Sequence, residues 1–255
     1  MKRPRATLCN ESHRPMQFAF LYRRLMFSVI AAIAFAGCRE ESALTSNAEF
    51  PSREGRFPSH WWAPVDKSGA PNWEILPQEA GPGEVILSKR HELGLLSNFA
   101  ATPFEFRGKR YASLEGFWQM MKYPEGPDDS RATFPDLNWE YTRDEVAQLT
   151  AFDAKRAGDL ASRNMERMGI NWVTFEGRQL EYKPDQPGEH YRLICEATQE
   201  KVQQNPEVKR ALLSTGDLIL KPDHQPADAP AAWRYYEILT KIRHKLQSDE
   251  QGSSP

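Results

Sequence analysis

An uncharged, mainly apolar run at positions 25–37 divides this 255-residue chain into a leader and a body. Two arginines come directly before it. Because a transmembrane helix needs about 20 apolar residues, a run of 13 is too short to span a bilayer and is typical of the hydrophobic region of a signal peptide. We therefore expect residues 1–37 to be a signal peptide, either with a long basic start or with initiation at Met16 or Met26. A core helix is the alternative.

The residues that end this run predict a lipid anchor. Phe35-Ala36-Gly37-Cys38 resembles a bacterial lipobox, in which two small residues fit the signal peptidase and the cysteine sulfur takes a diacylglycerol. Phe35 stands where that pattern usually has Leu. We expect a protein held in the bacterial cell envelope through lipidated Cys38. A simple cleaved signal is the alternative, and a protein without a working leader would be cytoplasmic.

The charge of the body argues against a general nucleic-acid binder. Residues 1–37 hold six of the 33 basic residues and one of the 35 acidic residues. The remainder therefore carries 27 Lys and Arg against 34 Asp and Glu, a formal net charge of −7. Such a body is repelled by polyphosphate backbones and by anionic lipid surfaces unless basic residues cluster locally.

Cysteine and histidine usage predicts neither an internal disulfide nor a metal cofactor. Only Cys195 remains once Cys9 and Cys38 are assigned to the leader and the lipid site. We interpret Cys195 as a small buried residue on a helix rather than as a nucleophile. The body's histidines are too scattered for metal-ligand spacing; they are His60, His91, His190, His224 and His244.

Hydrophobic spacing and turn residues predict a helix-rich α+β single domain with a small antiparallel sheet. A strand is expected within 84–89, and a hairpin at 104–111 turns at Gly108. Capping signals and apolar spacing place the helices at 113–123, after the capping box at Thr142, and at 151–168, 191–204, 207–214 and 229–247. Residues 170–187 are expected to be irregular. The predicted organisation is a flexible tether at 38–59, the folded domain at 60–247 and a disordered tail at 248–255.

The helix predicted at 113–123 presents three polar side chains on one face. Glu115, Gln119 and Lys122 are spaced i, i+4 and i+7, so a carboxylate, an amide and an amine lie together. A solvated polar surface is the ordinary explanation of such a face. Gly116 interrupts this helix at a cost of about 1 kcal/mol relative to Ala. Close approach of a backbone or a ligand would explain that glycine, and so would tight helix packing.

The order of these motifs resembles the NADAR (YbiA-like) family over roughly residues 84–245. The first matching segment comprises Leu96-Ser97-Asn98-Phe99, Pro103-Phe104, Gly108-Lys109-Arg110-Tyr111, Ser113-Leu114-Glu115-Gly116-Phe117-Trp118-Gln119 and Lys122. The second comprises Asn205-Pro206, Leu212-Leu213 and Ser214-Thr215-Gly216-Asp217. The chain departs from the family after this point, because Ala231-Ala232-Trp233-Arg234-Tyr235-Tyr236 replaces a loop rich in Trp and Gly.

The resemblance implies cleavage of an N-glycosidic bond. The family includes N-glycosidases of riboflavin-pathway intermediates and hydrolases that remove ADP-ribose from guanine bases. The implied substrate is a small nucleotide-like or ADP-ribosylated molecule, and no cofactor is implied.

The resemblance also assigns roles to particular side chains. Glu115 would stabilise the oxocarbenium-like charge or move a proton, and Lys122 would pair with phosphate or attack the opened sugar as a Schiff-base nucleophile. The implied substrate-binding residues are Ser97, Asn98, Phe99, Trp118, Gln119 and Asp217. From the residues alone, Asn98 is equally a turn residue, Trp118 a core residue and Asp217 part of a helix stop. The alternative function is a non-catalytic domain that binds a nucleotide or ADP-ribose, and a purely structural envelope domain is a third.

Overall fold

The computed structural model describes residues 55–182, 184, 186–224 and 229–252. The predicted signal peptide, Cys38 and most of the predicted tether lie outside the described residues, as do positions 253–255. Within the part that is described, no helix is both long enough and apolar enough to cross a bilayer.

Six α-helices carry most of the regular structure in the described residues. They are α1 (Leu114–Met120), α2 (Arg143–Ala147), α3 (Ala151–Met168), α4 (Glu189–Gln204), α5 (Pro206–Ser214) and α6 (Tyr235–Gly252). The local signals explain several of their ends. Thr142 forms the predicted capping box with Glu145, and Gly169 closes α3 in the left-handed conformation that glycine adopts at little cost. Pro206 begins α5, where a missing N–H costs nothing.

The strands within the described ranges form three separate two-stranded sheets. They are β1 (Glu84–Ile86), β2 (Phe104–Phe106), β3 (Lys109–Tyr111), β4 (Trp172–Phe175), β5 (Arg178–Glu181) and β6 (Ile219–Lys221). The pairs β2–β3 and β4–β5 are antiparallel hairpins, whereas β1 and β6 pair in parallel, with Glu84 opposite Ile219. The described chain is therefore a mixed α+β domain with small sheets, as the sequence predicts. The parallel pair is an addition that no local pattern indicates.

Two hairpin turns have the same backbone conformation, with positive φ at both central residues. Arg107 and Gly108 have φ values of 50° and 74°, and Glu176 and Gly177 have 50° and 71°. Positive φ at both central residues matches the twist of a two-residue hairpin. The first hairpin is predicted from the sequence. The second corrects the expectation of irregular structure at 170–187, because Glu176-Gly177 is a weaker turn signal than the Asn-Gly or Asp-Gly pairs that usually mark such a turn.

The ends of the domain also differ from the sequence expectation. Residues 55–59, assigned to the tether, belong to the folded part, because Phe57 is buried and stacks on Trp61. The last helix begins at Tyr235 rather than at 229 and continues to Gly252, so positions 248–252 are helical rather than a disordered tail. Its later start follows from the 3₁₀ turn at Ala231–Trp233.

Helix α1 lies at the centre of the molecule, and all seven of its residues are buried. It contacts α2, α3, α4 and β3. Its approach to the chain that follows α2 requires Gly116, since a Cβ there would stand 2.5 Å from the Leu149 carbonyl oxygen. Tight packing therefore explains this glycine. Each large apolar side chain buried here contributes about 1.5–3 kcal/mol, and the surrounding aromatic cluster includes Phe104, Phe106, Tyr111 and Phe175.

Candidate active site

A cavity of about 400 Å³ lies beside α1 and α3. Seven of the eight predicted catalytic and binding residues line it, and these are Ser97, Asn98, Phe99, Glu115, Trp118, Gln119 and Lys122. Seven further residues complete the wall, namely Lys155, Asp159, Ser162, Tyr182, His224, Trp233 and Tyr235. The polar face of α1 is therefore not a solvated surface, because it is enclosed by residues from several distant parts of the chain.

Backbone hydrogen bonds fix the loop at 97–99 against the start of α1. The Glu115 N–H donates to the Asn98 carbonyl at 2.9 Å, and the Ala151 N–H donates to the Phe99 carbonyl at 3.2 Å. The N-terminus of α1 is capped by the Ser113 hydroxyl, which accepts from the Gly116 N–H at 2.9 Å. The predicted cap thus sets the direction of the helix, and the two loop contacts bring the loop to the same cavity.

Glu115 and Gln119 form a buried pair one turn apart. Gln119 Nε2 donates to Glu115 Oε1 at 2.7 Å. The Gln119 amide lies directly against Gly158 of α3, and a Cβ at that position would overlap it. Among the described residues, Gln119 Oε1 has no hydrogen-bond partner although it is buried at the cavity wall. This oxygen packs against Gly158 of α3, so the hydrogen bond of the Gln119 amide to Glu115 is the contact that bears on the site.

Burial raises the pKa of Glu115 above its ordinary range, although the Gln119 hydrogen bond and the Lys122 charge oppose that rise. Residue Glu115 is only 7% exposed, so its carboxylate has lost most of the water that would solvate the charge. A carboxyl in such a setting can hold a proton closer to neutral pH and release it to a substrate.

Lys122 is buried without a paired carboxylate. Its Nζ donates to Ser162 Oγ at 2.9 Å and to the Gly158 carbonyl at 3.3 Å, and it lies 5.0 Å from the centre of the Tyr182 ring. In the described part of the chain no carboxylate lies within ion-pair distance of it. Burial lowers the pKa of Lys122 to about 8, with Glu115 opposing the shift. A substantial neutral fraction of this amine is therefore present near pH 7 to 8.

Lys122 lies just beyond the end of α1. The sequence predicts it within the helix, which is expected to extend to residue 123. Two arginines hold this turn. Arg131 Nη1 donates to the carbonyls of Met121 and Lys122 at 3.0 and 3.1 Å, and Arg143 Nη1 donates to the Tyr123 carbonyl at 2.9 Å. These contacts satisfy carbonyls that a helix end leaves unpaired. They fix the backbone of Lys122 although the helix has ended.

Aromatic side chains form the apolar walls of the cavity. Trp118 Nε1 donates to the Tyr182 hydroxyl at 3.1 Å, and the Trp118 ring stands edge-on to Trp233. Phe99 and His224 face each other with ring centres 6.3 Å apart. These flat surfaces, together with the Lys122 amine, suit a ligand that has both an aromatic ring and an anionic group.

Asp217 does not join the site, which corrects its predicted role. Its carboxylate lies 3.2 Å from Arg56 Nη1, and both side chains are more than half exposed. Its motif neighbours have structural roles. Thr215 is buried and accepts from Arg243 Nη1 at 2.7 Å, and Gly216 has a φ of 55° after the end of α5. The segment therefore ends a helix and leads into β6.

Sequence reasoning missed the contribution of residues 223–235. His224, Trp233 and Tyr235 line the cavity, and the buried Asp223 contacts His224. The aromatic density of 233–236 is a usable signal, because several large rings in a short proline-flanked segment need a surface to cover. No comparable signal marks Asp223-His224, since its partners come from elsewhere in the chain.

A wider cleft of about 590 Å³ lies on another face, beside Trp139 and Arg143. It is more open, and its buried cation is already paired, because Arg143 Nη2 lies 3.0 Å from Glu125 Oε1. The buried charge in this cleft is therefore neutralised by an ion pair, whereas the Lys122 amine in the first cavity is not paired with a described carboxylate. Within the described ranges, no three His, Cys, Asp or Glu side chains are grouped so that they could hold a metal ion.

Comparisons with known proteins add little to this geometry. No protein-family model matches the chain, and no curated protein matches it. Among solved structures, the chain is similar to the NMR structure of the E. coli protein YbiA, with 18% sequence identity and a TM-score of 0.42. The match covers 69% of this chain and 93% of that one. A TM-score below 0.5 carries no argument, so the class defined here, an α+β domain with a buried acid and amine in one cavity, depends on the contacts described above.

Proposed function

We propose that the protein is an N-glycosidase that cleaves the bond between ribose C1 and a base nitrogen in an ADP-ribosyl or ribosyl-phosphate substrate. One observation carries the proposal. A buried carboxyl, Glu115, and a buried amine, Lys122, share one cavity, where burial raises the pKa of the first and lowers the pKa of the second to about 8. Ionisable groups with shifted pKa values that line a cleft are candidates for acid–base chemistry.

Glu115 suits the central electrostatic problem of this reaction. Breaking a C1–N bond develops positive charge on the sugar, and a carboxylate beside C1 stabilises that charge. The protonated form can instead donate to the departing nitrogen. The Gln119 amide at 2.7 Å holds the carboxyl in one orientation, so little reorganisation is needed during the reaction.

Lys122 suits either of two roles. Its ammonium form can neutralise a substrate phosphate. Its amine form can attack C1 as the bond from C1 to the base nitrogen breaks and the electron pair leaves with the base. Loss of a proton from the lysine nitrogen and opening of the ribose ring then give a C1=N Schiff base, which water hydrolyses to release the sugar aldehyde and the free amine. The lowered pKa supports the second role, because a nucleophilic lysine must be unprotonated to react.

The remaining walls support a nucleotide-like substrate. Trp118, Tyr182 and Trp233 offer aromatic surfaces, and Asn98 offers an amide. Lys155 also lines the cavity, but its charge is paired with Asp159 at 2.6 Å. A volume of about 400 Å³ is within the usual range for a small-molecule site. These features suit a base, ribose hydroxyls and a phosphate.

The direct test is turnover of ribosyl–nitrogen compounds by the full-length protein. We expect release of ADP-ribose from ADP-ribosylated guanosine, measured by liquid chromatography, and losses of at least 100-fold in Glu115→Gln and Lys122→Met. Lys67→Met is the matched control, since the Lys67 side chain is 70% exposed and pairs with Glu79 away from the cavity. Unfolding curves for each variant separate loss of activity from loss of fold.

Borohydride added during turnover distinguishes the two roles of Lys122. An adduct located on Lys122 by mass spectrometry supports the Schiff base, whereas turnover without an adduct supports the phosphate contact. Absence of turnover over the whole ribosyl–nitrogen panel contradicts the proposal. Saturable ADP-ribose binding without turnover, unchanged in Glu115→Gln, would instead identify a non-catalytic binding domain.

A further inference from the structure

Asp223 holds an imidazole at the cavity. Its side chain is only 2% exposed, and its two oxygens have different partners. Oδ1 is hydrogen-bonded to His224 Nδ1, and Oδ2 lies 2.5 Å from Lys89 Nζ. Burial alone would raise the pKa of Asp223, but the hydrogen bonds from His224 and Lys89 outweigh it and lower the pKa. The group is therefore a carboxylate.

The carboxylate determines which tautomer His224 adopts. An ionised carboxylate accepts hydrogen bonds and cannot donate them, so Nδ1 must carry the proton in their shared bond. Lys89 Nζ is 3.5 Å from the same Nδ1, which is much longer than its contact with Asp223, so it does not compete for that role. In the neutral ring, Nε2 then has the free lone pair.

The surroundings of His224 place this ring at the wall of the cavity. The ring stacks with Tyr235 and stands edge-on to Trp73, with centres 6.4 and 6.0 Å away. His224 and Glu115 line the same cavity, and the His224 charge acts on the pKa of Glu115. The ionisable groups that face the imidazole are thus Asp223, Lys89, Tyr235 and Glu115. About a third of the His224 side chain is exposed, so water reaches it.

We propose that His224 is a second acid–base residue of the site and that Asp223 is its positioning residue. The inference rests on the proposed N-glycosidase function and deepens it. In this step the C1–N bond breaks, its electron pair passes to the base nitrogen, and that nitrogen takes the proton of Glu115. Water adds to C1 and gives one proton to His224 Nε2. The resulting imidazolium and Glu115 carboxylate return to their starting forms by passing one proton through solvent.

This arrangement assigns the two proton transfers to different groups. Glu115 is buried and suited to donate a proton to the departing base nitrogen. His224 is partly exposed to solvent and suited to accept a proton from the attacking water. Lys89 neutralises the second Asp223 oxygen and keeps that carboxylate in place. Pairing with Lys89 alone would not require Asp223 to accept a hydrogen bond from His224 as well.

The test compares two histidine–carboxylate pairs in the full-length protein. With ADP-ribosylated guanosine as substrate, His224→Gln should lower kcat about 100-fold or more while ADP-ribose binding changes less than threefold. Asp223→Asn should lower kcat at least tenfold. His60→Gln is the control, because His60 contacts Glu92 at 2.9 Å outside the cavity and should keep wild-type kcat.

Rescue separates chemistry from structure. Free imidazole should restore part of the kcat lost in His224→Ala, which a packing role would not allow. If His224→Gln keeps kcat within threefold of wild type while Glu115→Gln is inactive, this inference is overturned and the proposed function stands. The inference is also overturned if His224→Gln loses activity because it binds ADP-ribose more weakly and if imidazole does not restore the activity of His224→Ala. A wild-type protein without turnover overturns both.

Discussion

At the level of single residues, the site depends on a glycine that is not part of it. Gly158 lets the Gln119 amide lie against α3, and that amide in turn holds Glu115. The same residue supplies the carbonyl that accepts from Lys122. One small residue therefore supports both the acid and the amine.

Gly158→Ala should damage the site more than the fold. An added methyl overlaps the Gln119 amide, which must move and release Glu115. Alanine gains about 1 kcal/mol in helix propensity, so we expect a net stability loss of only about 1–2 kcal/mol from overpacking. Activity should fall at least tenfold. Gly126→Ala is the control, because a Cβ there meets nothing within 4 Å. Unfolding curves and kcat are measured together, and an unchanged kcat would contradict the role of Gln119.

A second buried amine, Lys201, makes stability depend on pH. It lies on α4 and donates to the Ser97 carbonyl at 2.6 Å, and in the described part of the chain no carboxylate pairs with it. Burial lowers the pKa of Lys201 from 10.5 to about 7. Between these two values the unfolded chain binds the proton that the folded chain lacks, so this group makes stability rise with pH.

Replacing Lys201 should remove this slope. We expect wild-type unfolding free energy to rise by about 1–2 kcal/mol between pH 7.5 and 9 relative to Lys201→Met, measured by urea denaturation at each pH. The comparison with the variant cancels the contribution of Lys122, which both proteins retain. Lys67→Met, an exposed lysine, should keep the wild-type slope. Parallel curves for wild type and Lys201→Met would show that Lys201 is protonated in the folded state.

At the level of elements, a very short helix is made rigid by its end contacts. Helix α1 has only seven residues, fewer than an isolated helix needs in water. The buried Arg131 contacts both the Met121 and Lys122 carbonyls and the Asp129 carboxylate. The site is thus fixed by packing and by guanidinium contacts rather than by helix propensity.

Arg131→Met should destabilise the fold strongly. It leaves Asp129, which is 9% exposed, without its buried cation, and it leaves two carbonyls without donors. Removal of one partner of a buried pair costs about 3–5 kcal/mol, which corresponds to a fall in Tm of about 10 °C for a domain of this size. Arg156→Met is the matched control, since its pair with Asp153 is exposed on both sides. A Tm change below about 2 °C in Arg131→Met would contradict this account.

Elements with local signals are predictable, and those that depend on distant partners are not. Ser113, Thr142 and Gly169 mark helix ends through contacts within a few residues, and each is found where the sequence predicts it. The pairing of β1 with β6 leaves no local pattern, because each strand is only three residues long. The candidate site divides in the same way. Helical spacing places Glu115 and Gln119 on one face, and the family resemblance adds Lys122 as a site residue, whereas His224 reaches the cavity only through tertiary contacts.

At the level of the whole molecule, the predicted lipid anchor would determine where the domain works. Cys38 lies outside the described residues, so the proposal depends on the sequence at 25–38 alone. An acidic body beyond a lipid anchor would stay clear of an anionic membrane surface. The substrate of an anchored protein would then be an exported or scavenged nucleotide-like molecule.

Cys38→Ser should release the protein from the membrane fraction, because no thiol remains to accept the lipid. Fractionation followed by immunoblotting measures this, and metabolic labelling with a fatty acid confirms the modification. Cys195→Ser is the control, since that half-buried thiol lies on α4 and should not affect fractionation. A wild-type protein found in the cytosol would contradict the anchor and leave the catalytic proposal unaffected.

The pairing of β1 with β6 has a consequence for biosynthesis. Chains leave the ribosome from the N-terminus, so Glu115 and Lys122 emerge long before the segment from Ile219 to Tyr235. Until that segment arrives, the cavity lacks the part of its wall that His224, Trp233 and Tyr235 provide, although Ser162 and Tyr182 have already been made and can contact Lys122. Under the proposed function, we therefore expect a stalled fragment that stops before β6 to be inactive.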